Sequence, residues 1–194
     1  MSAIPKTKLS EADYLAIERA ARFKSEYYDG EMFAMAGTSF PHNYIINNLH
    51  GELFVRLKGH SCKALVSDMK VKSPRARSYS YPDIVIASGE PEAEDDRKDV
   101  LLNPTAIIEV LSPSTQEFDR GGKRRKYQLI DSLREYILVA QDEPDIEQYV
   151  RKPNGRWEQS IVAGLDAELG FASIPAKIPL AAIYAGIALS DKPL

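Results

Sequence analysis

Apolar and polar positions along the chain follow patterns that predict both helices and strands. A helix is predicted from Ser10, which forms a capping pattern with Asp13, to about Arg22. Pro41 lies in the first turn of a second predicted helix, which ends at Gly59. The apolar residues of this helix recur at helical spacing and are Ile45, Ile46, Leu49, Leu53 and Leu57.

Runs of β-forming residues predict the strands. Residues 23–28 and 31–36 flank an Asp29-Gly30 turn and predict a hairpin, and a second hairpin surrounds Asn154-Gly155. The other predicted strands are 63–71, 81–87, 105–111 and 135–140. Two further helices are expected, one at residues 117–132, where Gly121-Gly122 weakens the first turn, and a short one from Leu180.

This order of elements predicts an α/β fold, with one central mixed sheet flanked by helices. The N-terminal hairpin and the C-terminal strands are additions to that sheet. A chain of 194 residues is long enough for one domain with a sizeable core. We therefore expect a single domain over residues 1–194, with its core at about residues 40–141.

Composition narrows the class of protein. The chain is 44% hydrophobic and 27% charged, which is typical of a folded soluble protein. Its one cysteine, Cys62, and its charged N-terminus favour a cytoplasmic location over secretion. The apolar stretch 171–189 is interrupted by Pro175, Lys177 and Pro179, so a membrane span is not expected.

Two carboxylates in apolar strands are the main sign of chemistry. Asp83 follows Pro82 at the start of one predicted strand, and Glu109 lies between Ile108 and Val110 in the next. An uncompensated buried charge costs several kcal/mol, so each acid needs a partner. If the strands pair antiparallel as neighbours, the two acids lie opposite each other with Cβ atoms ~5 Å apart, which suits two ligands of one cation.

The order of motifs around these acids resembles that of the PD-(D/E)XK nucleases, the restriction-endonuclease-like superfamily. The match is closest to the subgroup described as "putative restriction endonucleases". It covers most of the chain. The matching segments are Glu26-Tyr27-Tyr28-Asp29-Gly30-Glu31, His42, Tyr81-Pro82-Asp83-Ile84-Val85, Ile108-Glu109-Val110-Leu111-Ser112-Pro113-Ser114-Thr115, Asp119-Arg120, residues 123–127 and Glu135-Tyr136.

The resemblance implies an endonuclease that hydrolyses phosphodiester bonds with Mg²⁺, or with Mn²⁺ as a substitute, most readily in DNA. Asp83 and Glu109 would bind the metal, since Mg²⁺ prefers oxygen ligands and is held through one or two carboxylates. Cutting both strands of a duplex commonly uses two active sites. A homodimer is therefore expected.

The catalytic lysine is expected two residues after Glu109, but that position is Leu111. The subgroup places its lysine on the following helix, and Lys123, four residues before Tyr127, matches that position. We therefore predict Lys123 as the third catalytic residue. The other candidates are Lys126 on the same helix and Lys70 or Lys72 on the preceding strand.

Several other polar residues have both a functional and a simpler interpretation. Glu31 is either a third acid near the metal or an exposed hairpin residue, and His42 is either catalytic or a surface residue at a helix start. Asp119 is most simply an acid near a helix N-terminus. Asp83 and Glu109 themselves have a structural alternative, in which they are hydrogen-bonded to backbone or paired with Lys123.

Positive charge is concentrated in two segments, although the net charge is −3. Residues 56–77 and the helix at 120–126 are expected to contact phosphates, because a polyanion site needs local rather than global positive charge. Acid is concentrated at residues 90–99. Two alternative functions remain: a nucleic-acid-binding or regulatory module that has lost hydrolysis, as Leu111 suggests, and a phosphohydrolase for small nucleotides, which a closed pocket would indicate.

Overall fold

The structure, a computed structural model, describes residues 8–35 and 37–189. It contains thirteen strands and five α-helical segments within those ranges. The helical segments are α1 (Glu11–Ala20), α2 (Phe40–Arg56), α3 (Gln116–Phe118), α4 (Arg124–Tyr127) and α5 (Leu180–Ile183). The strands are β1 (Ser25–Tyr28), β2 (Glu31–Ala34), β3 (Cys62–Val66), β4 (Lys70–Ser73), β5 (Ser78–Ser80), β6 (Ile84–Ser88), β7 (Val100–Leu101), β8 (Ala106–Val110), β9 (Glu135–Val139), β10 (Asp145–Arg151), β11 (Trp157–Ala163), β12 (Glu168–Gly170) and β13 (Lys177–Pro179).

The central sheet has six strands in the order β11-β10-β9-β8-β6-β3. Strands β8 and β9 pair in parallel, whereas the other neighbours pair antiparallel. The predicted mixed α/β fold with a central sheet is therefore confirmed. The predicted antiparallel pairing of the two acid-bearing segments is also confirmed, because β6 lies beside β8 with Ile84 opposite Ile108.

Each face of the central sheet packs against different elements. On one face, α2 contributes Leu49 and Leu53 and α5 contributes Ile183 to a cluster with inward residues of the strands. On the other face, Ile107 and Tyr136 pack with Tyr127 of α4. Because side chains alternate along a strand, Glu109 points to the same face as Ile107. The segment 116–127 therefore covers the face that carries Glu109.

The N-terminal hairpin belongs to a second sheet, which the prediction of one mixed sheet did not include. This sheet has the strand order β2-β1-β5-β4-β7. The hairpin itself is confirmed: Asp29 and Gly30 both have positive φ, at 41° and 99°, as its tight turn requires. Ala36, the last residue of the predicted hairpin, lies outside the described residues. Helix α1 covers the second sheet, where Tyr14, Tyr27 and Tyr79 form a core cluster.

The strand predicted at residues 63–71 is wrong as a continuous element. It divides into β3 and β4, which pair in different sheets. Ser67 separates them with a left-handed backbone, at φ 53°. Its N–H donates to the carbonyl of Asp83 at 3.1 Å, which holds the chain at the turn between the two sheets.

The helix predicted at residues 117–132 is shorter and less regular than expected. Helical structure runs from Gln116 to Tyr127, and its middle, Asp119–Lys123, is a π-helix. This wider turn contains the Gly121-Gly122 pair that weakens an α-helix. Beyond Tyr127 the carbonyl of Ile130 accepts from the Arg151 guanidinium at 3.0 Å and from the N–H of Leu133 at 3.3 Å.

The C-terminal hairpin of β10 and β11 is confirmed, with Gly155 at φ 80° in its turn. Helix α5 begins at Leu180, as predicted. Within the described ranges, no helix has both the length and the apolar character that a membrane crossing requires.

Candidate active site

Asp83 and Glu109 lie side by side, as the strand pairing requires. The register of β6 and β8 places Asp83 opposite Glu109, one position beyond the Ile84–Ile108 pair. Oδ2 of Asp83 accepts a hydrogen bond from the N–H of Val110 at 2.7 Å. Oε2 of Glu109 accepts one from the N–H of Asp83 at 3.4 Å. Glu109 is buried, whereas the Asp83 side chain is 20% exposed. The pair is therefore open to solvent on the Asp83 side.

Lys123 reaches these acids from the π-helix. Its Nζ lies 2.8 Å from Oε1 of Glu109 and 3.8 Å from Oδ1 of Asp119. The π turn points the side chain inward, so that Lys123 is buried although it belongs to a run of cations. Lys123 thus lies beside Glu109, a position that both the catalytic prediction and its structural alternative, an ion pair with Lys123, require.

Glu26 is a member of the site that the sequence did not single out by its chemistry. Its Oε1 lies 3.2 Å from Nζ of Lys123 and accepts the N–H of Tyr81 at 3.1 Å, while Oε2 accepts from the hydroxyl of Tyr28. Glu26 is buried in strand β1. Glu26 could have been found by the criterion that identified Glu109, which is an acidic residue within a predicted strand of mainly apolar or aromatic residues.

Tyr127 and Asp119 complete the surroundings of the buried ion pair. The hydroxyl of Tyr127 donates to Oε1 of Glu109 at 3.0 Å. Asp119 lies in the first turn of the π-helix, and it is also a buried neighbour of the site, because it is 3% exposed and lies within 4 Å of Lys123.

Burial and neighbouring charges both shift the pKa values of the buried groups in the site. Burial raises the pKa of the Glu109 carboxyl well above its usual range, the Lys123 ammonium opposes this, and the carboxylate of Asp83 raises the pKa further. Burial lowers the pKa of Lys123, but Glu109, Glu26 and other neighbours outweigh it, and the pKa lies well above its usual range. Burial also raises the pKa of Asp119. The site thus concentrates several buried charges in one place, which is typical of functional sites.

His42 lies in the first turn of α2 and contacts Asp83 directly. Its Nε2 is 3.3 Å from Oδ2 of Asp83, and its side chain is 5% exposed. The cap of this helix is Ser39, whose Oγ accepts the N–H of His42. Nδ1 of His42 is buried without a hydrogen-bond partner among the described residues. His42 is therefore part of the site and not a surface residue.

The other predicted candidates lie elsewhere or make other contacts. Glu31 is exposed, and the carboxylates within 4 Å of Lys123 belong to other residues. Nζ of Lys70 binds Asp99 at 2.8 Å, and Nζ of Lys72 lies 2.8 Å from Glu11. Lys126 lies over the ring of Tyr28. Of the four lysines considered, the structure pairs Lys123 with Glu109.

The basic segment 56–77 does not form a continuous surface of free cations. The acidic segment 90–99 folds against it and supplies Asp99 to Lys70 and Glu94 to Lys72. Arg75 and Arg77 also lie against carboxylates, those of Asp131 and Asp29. In the helix at 120–126, Arg120 pairs with Glu147 and Arg124 lies over the ring of Tyr149, while Arg125 is exposed. The positive charge available to phosphates is therefore smaller than the sequence suggested.

The site offers two neighbouring carboxylates, Asp83 and Glu109, as candidate ligands for a divalent metal. Among the described residues, no group of three or more His, Cys, Asp and Glu side chains forms a metal-binding cluster. A cation that requires a complete set of protein ligands therefore does not fit. The chemistry of the donors suits Mg²⁺, because this ion retains several waters and binds through one or two carboxylates, which Asp83, the partly exposed acid, and Glu109 would supply.

An open cavity of about 530 Å³ lies elsewhere, along α1. Its lining includes Leu15, Arg19, Asp95 and Arg97 and none of the residues of the acidic site. This cavity is not the closed pocket around the acids that a small-nucleotide phosphohydrolase would require.

The fold and the juxtaposed acids define a restriction-endonuclease-like protein. The sequence profile of the Uma2 family, described as "Putative restriction endonuclease", matches residues 11–181, and the chain belongs to this family. The superfamily resemblance predicted from the motifs is therefore confirmed.

Two relatives from Synechocystis sp. are similar over nearly their whole length. The uncharacterized protein sll1609 is 34% identical over 173 residues, which cover 89% of this chain and 98% of that protein. The uncharacterized protein slr1290 is 34% identical over 188 residues, which cover 95% of each. A crystal structure of a "putative nuclease belonging to DUF820" from Anabaena variabilis aligns with a TM-score of 0.74 at 15% identity, over 91% of this chain and 98% of that one. Because only 15% of the residues are identical, the similarity to the Anabaena variabilis structure establishes a shared fold and nothing more.

Proposed function

We propose that this protein is a metal-dependent endonuclease that hydrolyses phosphodiester bonds, with DNA as its main substrate. The observation that carries the proposal is the convergence of Asp83, Glu109 and Lys123 from three separate segments of the chain. Val110 fixes the carboxylate of Asp83 at 2.7 Å, and Nζ of Lys123 lies 2.8 Å from Glu109. Membership of the Uma2 family supports the same reaction class.

Each residue has a defined task in this proposal. Hydrolysis of a phosphodiester adds a water oxygen to phosphorus, breaks one P–O ester bond and leaves a phosphate monoester and an alcohol. Asp83 and Glu109 would hold Mg²⁺, which supplies an acidified water and offsets charge that develops on phosphorus. Lys123 donates hydrogen bonds and positive charge next to these acids, where the developing negative charge must be stabilised.

The burial of Glu109 and Lys123 favours a functional role of the site over a purely structural one. Several buried charges in one place cost folding free energy, and apolar residues of similar volume would commonly be as stable or more stable. The hydrogen bond from the Val110 N–H to Asp83 and the Glu109–Lys123 ion pair offset part of this cost. They do not explain why charged residues occupy these positions.

The proposal is tested by cleavage assays on plasmid, linear duplex and single-stranded DNA and on RNA, with Mg²⁺, Mn²⁺ or EDTA. Asp83→Asn, Glu109→Gln and Lys123→Met keep side-chain size and should each reduce the cleavage rate by about 100-fold or more. Lys177→Met, in an exposed residue of β13, is the matched control and should cleave at the wild-type rate.

Two results would contradict the proposal in different ways. Cleavage that persists in Asp83→Asn would show that the active site lies elsewhere. Nucleic-acid binding without cleavage in either metal would favour the alternative function, a binding or regulatory module, which Leu111 at the usual lysine position supports. Light scattering would test the proposed homodimer, which would place two sites on one duplex.

A further inference from the structure

Three aromatic rings form a partly exposed cluster at the edge of the second sheet. We call Tyr28, Phe33 and Phe118 the aromatic platform. The ring centroids of Phe33 and Phe118 each lie 5.4 Å from that of Tyr28. Phe33 is 47% exposed and Phe118 is 39% exposed. Two large apolar rings therefore remain open to solvent although they contact a third ring.

A cation lies on the aromatic platform. Nζ of Lys126 is 3.1 Å from the ring centroid of Tyr28 and 5.0 Å from that of Phe118. Adjacent aromatic rings with a cation are typical of surfaces on which nucleic-acid bases stack while the backbone is held by positive charge. The chemistry of the platform thus fits a base together with its phosphate.

The π-helix holds Phe118 in this position. A Cβ on Gly122 would lie 2.8 Å from Cε2 and 3.0 Å from Cδ2 of Phe118, so the ring occupies the space left by the missing side chain. The same π turn directs Lys123 inward. One irregular segment therefore places both a platform ring and the candidate catalytic lysine, and π-helical turns are often found at functional sites.

The aromatic platform is continuous with the candidate active site. Phe33 lies directly opposite Glu26 in the β1–β2 hairpin, so their side chains project from the same face. The hydroxyl of Tyr28 donates to Glu26, and Glu26 lies 3.2 Å from Nζ of Lys123. The side chains of Tyr28 and Glu26 thus connect the exposed ring of Phe33 to Lys123.

We propose that the aromatic platform binds an unpaired base through Phe33 and Phe118, with Lys126 on the adjacent phosphate. The preferred substrate of the site is then single-stranded or locally opened nucleic acid, because a base inside an intact duplex has no free face to stack on a side chain. This inference rests on the proposed function, since it names the form of nucleic acid that the same site receives.

The test compares two fluorescent oligonucleotides of equal length in EDTA, which prevents cleavage. One is a chain of thymidines and the other carries the same phosphates with abasic spacers. Wild-type protein should bind the thymidine chain tighter by between about 5-fold and 150-fold for each stacked base. Phe33→Leu and Phe118→Leu should lose most of this difference, while affinity for the abasic chain stays unchanged.

Phe54→Leu is the matched control, because Phe54 is 69% exposed but lies near the far end of α2 from His42. It should keep the full preference for bases. Equal affinity of wild-type protein for both oligonucleotides would overturn the inference, as would an undiminished preference in both platform variants. Circular dichroism identifies a variant that fails to fold, and Phe33→Leu, in the exposed strand β2, provides the second independent measurement.

Failure of this inference is distinguishable from failure of the proposed function. A preference for bases that depends on the platform, without cleavage in Mg²⁺ or Mn²⁺, supports the platform and contradicts the endonuclease proposal. Cleavage that depends on Asp83 and Glu109, without a preference for bases, contradicts the platform alone.

Discussion

Nζ of Lys123 lies 2.8 Å from Oε1 of Glu109, and both side chains are buried. One residue comes from a π-helix and the other from the centre of a sheet, so this contact joins two layers of the fold. Three carboxylates lie within 4 Å of the single ammonium. Any change to the lysine therefore alters both the chemistry of the site and the stability of the fold.

Lys123→Met should destabilise the protein by about 3–5 kcal/mol in EDTA, because it leaves buried carboxylates without their cation. Urea denaturation measures the free energy of unfolding. The double variant Lys123→Met, Glu109→Gln should be more stable than the sum of the two single changes predicts, by about 0.5–3 kcal/mol. Strict additivity would show that the contact contributes no coupling energy.

His42 should act on the metal by orienting Asp83, whose Oδ2 lies 3.3 Å from its Nε2. His42→Leu removes this polar contact and should weaken Mn²⁺ binding by about 10- to 100-fold, as expected for residues that orient metal ligands. His42→Gln keeps a polar side chain at a similar reach to Asp83 and should retain most of the affinity. Isothermal titration calorimetry measures both. Identical affinities for the leucine variant and the wild type would refute the role.

Alanine substitutions at Gly121 and Gly122, two neighbouring positions of the π-helix, should have different effects on stability. Alanine at Gly121 would have its Cβ 3.9 Å from the nearest atom, on Arg125, and should stabilise the helix by up to about 1 kcal/mol. Alanine at Gly122 would displace the ring of Phe118 and should be less stable than Gly121→Ala. Thermal denaturation compares the two. Equal stabilisation would mean that Phe118 moves away without cost.

Asp99 should make stability depend on pH below neutrality. The guanidinium of Arg19, with Lys70 at 2.8 Å, holds the pKa of Asp99 well below its usual range. A depressed pKa contributes stability that is fully present above the unfolded value of about 4 and is lost as the pH falls through the folded value. Asp99→Asn should therefore cost on the order of 2 kcal/mol at pH 7, where the buried Lys70 loses its charged partner.

This cost should shrink progressively as the pH is lowered below about 4, because the carboxyl of Asp99 then takes up a proton in the unfolded wild-type chain but stays ionised in the folded one until its lowered pKa is reached. Urea denaturation at pH 7, 5 and 3 follows the change. Asp68→Asn is the control, because the side chain is 83% exposed and its ion pair with Lys24 should contribute less than about 1 kcal/mol. A cost that is the same at every pH would contradict the assignment to Asp99.

Elements with local signals could be predicted from the amino-acid sequence alone. Helix α2 follows from its apolar spacing, and both hairpins follow from their turn residues. The adjacency of Asp83 and Glu109 was also predictable, because the two strands predicted to carry them follow one another without a helix between them, which favours antiparallel pairing. The position of Lys123 came from the resemblance of its motif and not from spacing alone.

Tertiary structure decided the features that depend on distant parts of the chain. Strand β1 pairs with β5, about fifty residues away, and this pairing brings Glu26 to Lys123. The break at Ser67 depends on a hydrogen bond to Asp83, and the acidic segment 90–99 neutralises Lys70 and Lys72 only once it has folded against them. Local patterns do not encode such contacts, because a charge in the sequence carries no record of which distant charge will lie beside it.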